Sequence, residues 1–196
     1  MDLIFCSGNK HKASEIQLLM PDWLHVKSMR EVGVFDDIIE DGTTFEENAL
    51  IKARYVAQKS NLPVFSDDSG LVVDTLNGGP GIYSARYAGP DATSVENVQK
   101  LLTELKGVSN RKAHFVCVIA LIINGKEMLF DGRVDGLITQ ETVGVGGFGY
   151  DPIFIPDGYR QTFAELDSAV KNRISHRALA VKKMVEWLQL MRFEKA

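Results

Sequence analysis

Short unbroken apolar runs alternate along this chain with stretches where apolar side chains recur every third or fourth position. The first pattern reads as buried strand and the second as amphipathic helix. Leu3–Cys6 is the first run; a polar loop follows, then a helix from about Lys12 to about Met20, ended by Pro21. Thr44 with Glu47 three residues on has the form of a capping box, and Phe45, Ala49, Val56 and Ala57 make one apolar face until Asn61-Leu62-Pro63. Pro63–Ser66 and Leu71–Val73 read as two strands flanking Asp67-Asp68-Ser69-Gly70, where serine and glycine suit a sharp turn. Thr93 with Glu96 is a second capping box, opening a helix through Val98, Leu101, Leu102 and Leu105. Phe115–Ile123 and Glu127–Val134 form a hairpin across Asn124-Gly125, the pair a type I′ turn prefers. A last helix starts near Ser175 and runs through Val181, Met184, Val185 and Leu188. Helices interleaved with strands, plus one antiparallel hairpin, predict an α/β fold on a mixed sheet.

The 196 residues suffice for a sizeable core in a single domain, 1–196. A formal net charge of −4 excludes a broad electrostatic grip on DNA or RNA, so any anion must be met by local positive charge. Cys6 and Cys117 sit inside apolar runs and give no disulfide framework, which points to a reducing, cytoplasmic setting. The start of the chain lacks the basic n-region of a signal peptide, and the longest apolar run, Phe115–Ile123, is too short to span a membrane.

Local positive charge is concentrated directly after the first strand, in Ser7-Gly8-Asn9-Lys10-His11-Lys12. A strand, a small polar loop and a helix start either make an anion seat, because the first amides of a helix lack intrahelical partners, or form a solvated loop with ordinary surface lysines. The spacing is not that of a Walker loop. Glu40 and the Asp67-Asp68 pair are either a surface charge and an acidic turn or carboxylates of the kind Mg²⁺ takes beside phosphate. Adjacent strand residues face opposite ways, so only one of the two aspartates looks into a given cleft. Lys52 falls beside Asn48 at the margin of an apolar helix face, where a lysine either snorkels to water or meets a buried anion. Lys171 and Arg173, then His176 and Arg177, crowd the start of the last helix. Cations in a first turn oppose the helix dipole by roughly 0.3–1 kcal/mol each, so they mark either a salt-screened flank or a seat for a negative or electron-rich ligand.

Gly144-Val145-Gly146-Gly147-Phe148-Gly149 matches G-x-G-x-x-G in letters, but Asp151-Pro152 stands where a dinucleotide fold would open its helix. Four scattered histidines and two strand cysteines give no zinc spacing. Phe148 and Tyr150, set among glycines, can stack on a flat ring or serve as core aromatics.

Six segments in order resemble the inosine/xanthosine triphosphate pyrophosphatase family, over nearly the whole chain. They are Ser7 to Lys12; Thr44-Phe45-Glu46-Glu47-Asn48-Ala49 with Lys52-Ala53; and Asp67-Asp68-Ser69-Gly70-Leu71. Pro80-Gly81-Ile82-Tyr83-Ser84-Ala85-Arg86-Tyr87, Gly146-Gly147-Phe148-Gly149-Tyr150-Asp151-Pro152 and Ile174-Ser175-His176-Arg177 complete the set. Ser7 departs from a frequent threonine, and Cys6 and Ser66 from frequent alanines. The resemblance implies an elongated mixed β-sheet flanked by helices, two lobes with a nucleotide-binding cleft between them, and a homodimer. It implies Mg²⁺-dependent hydrolysis of ITP, dITP or XTP to the monophosphate and pyrophosphate. By motif, Asp68 is the proton acceptor and, with Glu40, a metal ligand. Ser7, Gly8, Asn9, Lys10, His11, Lys12, Ser69, Phe148, Gly149, Tyr150, Asp151, Lys171, His176 and Arg177 line the substrate site, and Lys52 faces phosphate. A Maf-like pyrophosphatase of other base preference and a non-catalytic nucleotide or single-stranded RNA binder are the alternatives. Carboxylates beside a phosphate seat speak against the binder, since without metal they repel the ligand.

Overall fold

The computed structural model describes residues 1–193. Its six strands are β1 (Asp2–Cys6), β2 (His25–Ser28), β3 (Val64–Val73), β4 (Lys112–Ile123), β5 (Lys126–Ile138) and β6 (Phe154–Pro156). They form one sheet in the order β2-β1-β3-β4-β5-β6. β1 runs parallel to β2 and β3, and β5 antiparallel to β6, so the sheet is mixed as expected. The β4–β5 turn has Asn124 and Gly125 both at positive φ, 50° and 74°, the type I′ geometry read from the sequence.

The helices are α1 (Lys10–Leu19), α2 (Phe45–Ala57), α3 (Ser94–Glu104), α4 (Ser168–Ile174) and α5 (His176–Phe193). Thr93 and Glu96 close their box in both directions. At α2 only half of the expected box forms. Thr44 accepts from the Glu47 amide, while the Glu47 carboxylate takes the amide and hydroxyl of Thr43 instead.

Three expectations change. β3 is a single ten-residue strand rather than two strands around a turn. Its central aspartates meet cations from distant helices, so the backbone has no need to expose them. α1 begins at Lys10, two residues early, because Asn9 caps it. The third change is α4, a separate short helix that ends at Ile174, is capped by Ser175 and carries Lys171 and Arg173 in its last turn. Cations there favour the dipole instead of opposing it.

The chain divides into two compact units. The first comprises Met1–Asp68, Cys117–Gly132 and the chain from His176 on, with a core of Leu3, Phe5, Ile16, Phe65, Ile119, Leu121, Val181 and Met184. The second comprises Ser69–Val116 and Arg133–Ser175, with Leu71, Val98, Leu101, Leu105, Phe115, Phe154 and Phe163 at its centre. Among the described residues no helix is long and apolar enough to cross a membrane.

Candidate functional site

The site in the first unit follows from strand register. Cys6, the last residue of β1, pairs with Ser66, so Asp67 and Asp68 stand just past the end of β1 beside the loop that leads into α1. That is the carboxyl end of a parallel pair, where open α/β sheets place their ligands. The two aspartates then part, as strand alternation requires.

Asp67 meets α1 and α5. Its carboxylate lies 3.1 Å from Lys12 Nζ and accepts from Nε and Nη2 of Arg177, each at 3.2 Å. Arg177 Nη1 donates to Glu15. Burial would raise the Asp67 carboxyl, but Lys12, Arg177 and Lys52 outweigh it and hold it well below the usual carboxylate range. The guanidinium is raised correspondingly: burial opposes its charge and Asp67 more than restores it.

Asp68 meets α2. Asn48 Nδ2 donates to its Oδ2 at 3.2 Å, and Lys52 Nζ lies 3.6 Å from its Oδ1. The same ammonium donates to Glu40 Oε2 at 2.5 Å. Lys52 thus meets buried anions and does not snorkel; it is 7% exposed. Burial disfavours its charge, yet Asp68 and Glu40 keep the ammonium above the ordinary lysine value. Asp68 moves the opposite way to Asp67. Desolvation raises its carboxyl and the Glu40 charge adds to that, against the pull of Lys52 and Lys12.

The opening loop is capped from within. Asn9 Oδ1 accepts the His11 and Lys12 amides at 2.9 and 3.2 Å, and Ser7 Oγ accepts the Asn9 amide at 3.2 Å. Three of the loop amides, those of Asn9, His11 and Lys12, are therefore taken up within the loop itself. Lys10 and His11 are exposed, Gly8 and Asn9 likewise, and Ser7 and Lys12 half-buried.

A second group of expected residues lies in the second unit. The Asp151 carboxylate accepts the Phe148 amide at 2.7 Å and Lys171 Nζ at 2.6 Å. Lys171 Nζ also stands 5.1 Å from the centre of the Phe148 ring. A Cβ on Gly147 would fall 2.1 Å from the Asp151 carboxylate, and its φ is +70°, so only glycine lets the loop wrap this side chain. Phe148 is half-buried, as are Gly149 and Ser69. Tyr150 is a core aromatic: it is buried, and its hydroxyl donates to the Ser84 carbonyl at 2.9 Å. Of the two aromatics expected to stack on a base, this leaves Phe148. His176 is buried at the start of α5 in the first unit, next to Arg177.

Sequence reading missed two participants. Asn48 was in view but given no role, although a polar residue four before a buried lysine on an apolar face was the available signal. Glu15 carried no signal at all, since its partner is far away in the chain.

A Mg²⁺ ion fits the donors present. Glu40 and Asp68 offer oxygen only and converge on one ammonium, and Mg²⁺ is commonly held by one or two carboxylates with phosphate and water completing its shell. Among the described residues no group of three or more His, Cys, Asp or Glu gathers as a metal cage. Both cysteines are buried, and burial pushes their thiols up to about 12, which suits apolar packing rather than thiolate chemistry.

Solved structures share this architecture. The Ham1 protein of Staphylococcus aureus superposes with a TM-score of 0.88 at 40% identity, over 96% of this chain and 98% of that one. The HAM1 protein of Coxiella burnetii gives 0.89 at 42%, with the same coverage. Among curated relatives, the dITP/XTP pyrophosphatase of Flavobacterium johnsoniae is 46% identical over 188 residues, spanning 96% of this chain and 98% of its own. That of Bdellovibrio bacteriovorus is 47% identical over 196 residues, spanning 96% and 98%. The family model that matches residues 3–187 is that of the Ham1 family, and the chain belongs to that family.

Proposed function

We propose that this chain hydrolyses deaminated purine nucleoside triphosphates (dITP, ITP and XTP) to the monophosphate and pyrophosphate. The observation that carries this reading is the convergence of Glu40 and Asp68 on the buried Lys52 ammonium, beside Lys12. Two carboxylates and two lysines gathered at a strand end suit a polyphosphate and its counter-ion. Glu40 and Asp68 would hold Mg²⁺, which would neutralise phosphate charge there.

The remaining chemistry belongs to the chain. Lys12 and Lys52, with Lys10 and His11 at the loop, hold the triphosphate and fix its α-phosphorus for in-line attack. Asp68 accepts a proton from the attacking water. The bond from water to the α-phosphorus forms, the α–β anhydride breaks, and pyrophosphate leaves. Phe148, held by Asp151 and backed by Lys171, stacks on the base. His176 and Arg177 donate to the 6-oxo group. Adenine presents an amino group there, and a buried donor left facing a donor costs roughly 1–3 kcal/mol. The reading includes a homodimer in solution, which sedimentation checks.

Pyrophosphate release across a panel of natural and deaminated triphosphates, with and without Mg²⁺, tests the proposal. Inosine and xanthosine triphosphates should lead the panel, with no turnover when Mg²⁺ is chelated. Asp68→Asn should lose at least about 100-fold in kcat. Equal turnover of adenosine triphosphate, or an Asp68→Asn variant near wild type, would overturn it.

A further inference from the structure

Asn48 spans the gap between the two carboxylates that the proposed function assigns to metal. One end of its amide holds the chain beside Glu40: Oδ1 accepts the Gly42 amide at 2.9 Å. The other end holds the strand: Nδ2 donates to Asp68 Oδ2 at 3.2 Å. The side chain is 1% exposed, so neither bond is shared with bulk water. Its backbone is pinned as well. The next residue, Ala49, offers its carbonyl to Ser66 Oγ at 2.5 Å, which fastens α2 to β3 two residues before Asp68. One turn further along α2, Lys52 touches both carboxylates.

The fit is close on the loop side. A Cβ added at Gly42 would lie 2.7 Å from Asn48 Oδ1 and 2.8 Å from Glu47 Cβ. Gly42 has no positive φ, so what it supplies is space for the asparagine.

We infer that Asn48 is a positioning residue, seated against Gly42, that sets the separation of Glu40 and Asp68 and thereby the affinity of the site for a divalent cation. Lys52 neutralises the two carboxylates, but an ammonium is a point charge with no directional plane and does not by itself fix their geometry. The planar amide of Asn48, bonded at both ends, does. The inference rests on the metal reading above, and its test separates the two.

Mn²⁺ serves as the probe, its binding in the presence of pyrophosphate followed by the electron spin resonance of the free ion, against a protein-free control at the same pyrophosphate concentration. Asn48→Ala removes both bonds, and Gly42→Ala displaces the asparagine without touching either carboxylate. Loss of a residue that orients metal ligands typically weakens metal affinity by about 10–100-fold, and both variants should weaken Mn²⁺ by about tenfold or more. The Mg²⁺ concentration for half-maximal turnover should rise in step, while the nucleotide KM at saturating Mg²⁺ stays within about threefold, a split that general loss of structure would not produce. Should Asn48→Ala not fold, Gly42→Ala decides alone. Unchanged Mn²⁺ affinity in folded variants overturns the role of Asn48 and leaves the metal reading standing. A wild-type protein that binds no Mn²⁺ overturns both.

Discussion

Asp67 and Asp68 are adjacent aspartates with opposite electrostatic fates. Strand alternation sends one toward Lys12 and Arg177 and the other toward Lys52, Asn48 and the carboxylate of Glu40. The first is therefore held ionised as a structural anion, while desolvation and the Glu40 charge raise the carboxyl of the second. The difference has a consequence for stability. A carboxyl held below its unfolded value contributes stability that is complete above the unfolded pKa, about 3.9, and fades as pH falls through the folded one. Asp67→Asn should cost about 3 kcal/mol near pH 7, because it leaves the Arg177 guanidinium short of a buried counter-charge. The gap between wild type and variant should narrow as pH drops below about 4, where the unfolded state binds the extra proton. Urea melts at neutral and acid pH measure this; a gap that is constant with pH would show that the Asp67 charge contributes nothing.

At the scale of elements, α5 depends on a close approach to β5. A Cβ on Gly132 would lie 2.0 Å from the His176 carbonyl oxygen and 2.6 Å from the Ala180 nitrogen, both backbone atoms of the first turns of α5. Gly132→Ala should cost at least about 2 kcal/mol, since a helix backbone yields less readily than a side chain. It should also lower activity by shifting His176 and Arg177, and a calorimetric Tm beside a kcat measurement checks both effects. How much of this was legible in the chain varies by element. α3, the Asn124-Gly125 turn and the apolar face of α5 rest on caps and periodicity within a few residues, and these the sequence states locally. α4 did not show itself: it has seven residues and its buried member is Lys171, whose partner Asp151 lies 20 positions back. Nor did the continuity of β3, because the cations that let Asp67 stay buried within a strand come from helices as distant as Arg177, 110 residues away. The candidate site divides along the same line. Lys52 and Asp68 were visible as chemically unusual residues, but their meeting, and the capture of the loop amides by Asn9, are properties of the folded chain.

At the scale of the whole molecule, two apolar clusters hang on the same three strands. β3 gives Phe65 to one and Leu71 to the other; β4 gives Ile119 and Leu121 to one and Ala113 and Phe115 to the other; β5 divides Phe130 from Ile138. A strand whose far half has lost its cluster exposes ladder groups and apolar side chains along its own length, so neither cluster gains by persisting alone. Leu121→Ala, in the first cluster, and Leu101→Ala, on α3 in the second, should each cost about 2–5 kcal/mol. Both losses should appear as a shift of one transition, with the calorimetric and van't Hoff enthalpies still equal. If Leu101→Ala instead split the melt in two while Leu121→Ala moved only the later step, the strands would not couple the clusters. Asp67 and Asp68 belong to the first unit's stretch of β3, so the carboxylates stay in place only while that unit is folded. Activity should then vanish with the same midpoint as the calorimetric transition, in wild type and in both leucine variants.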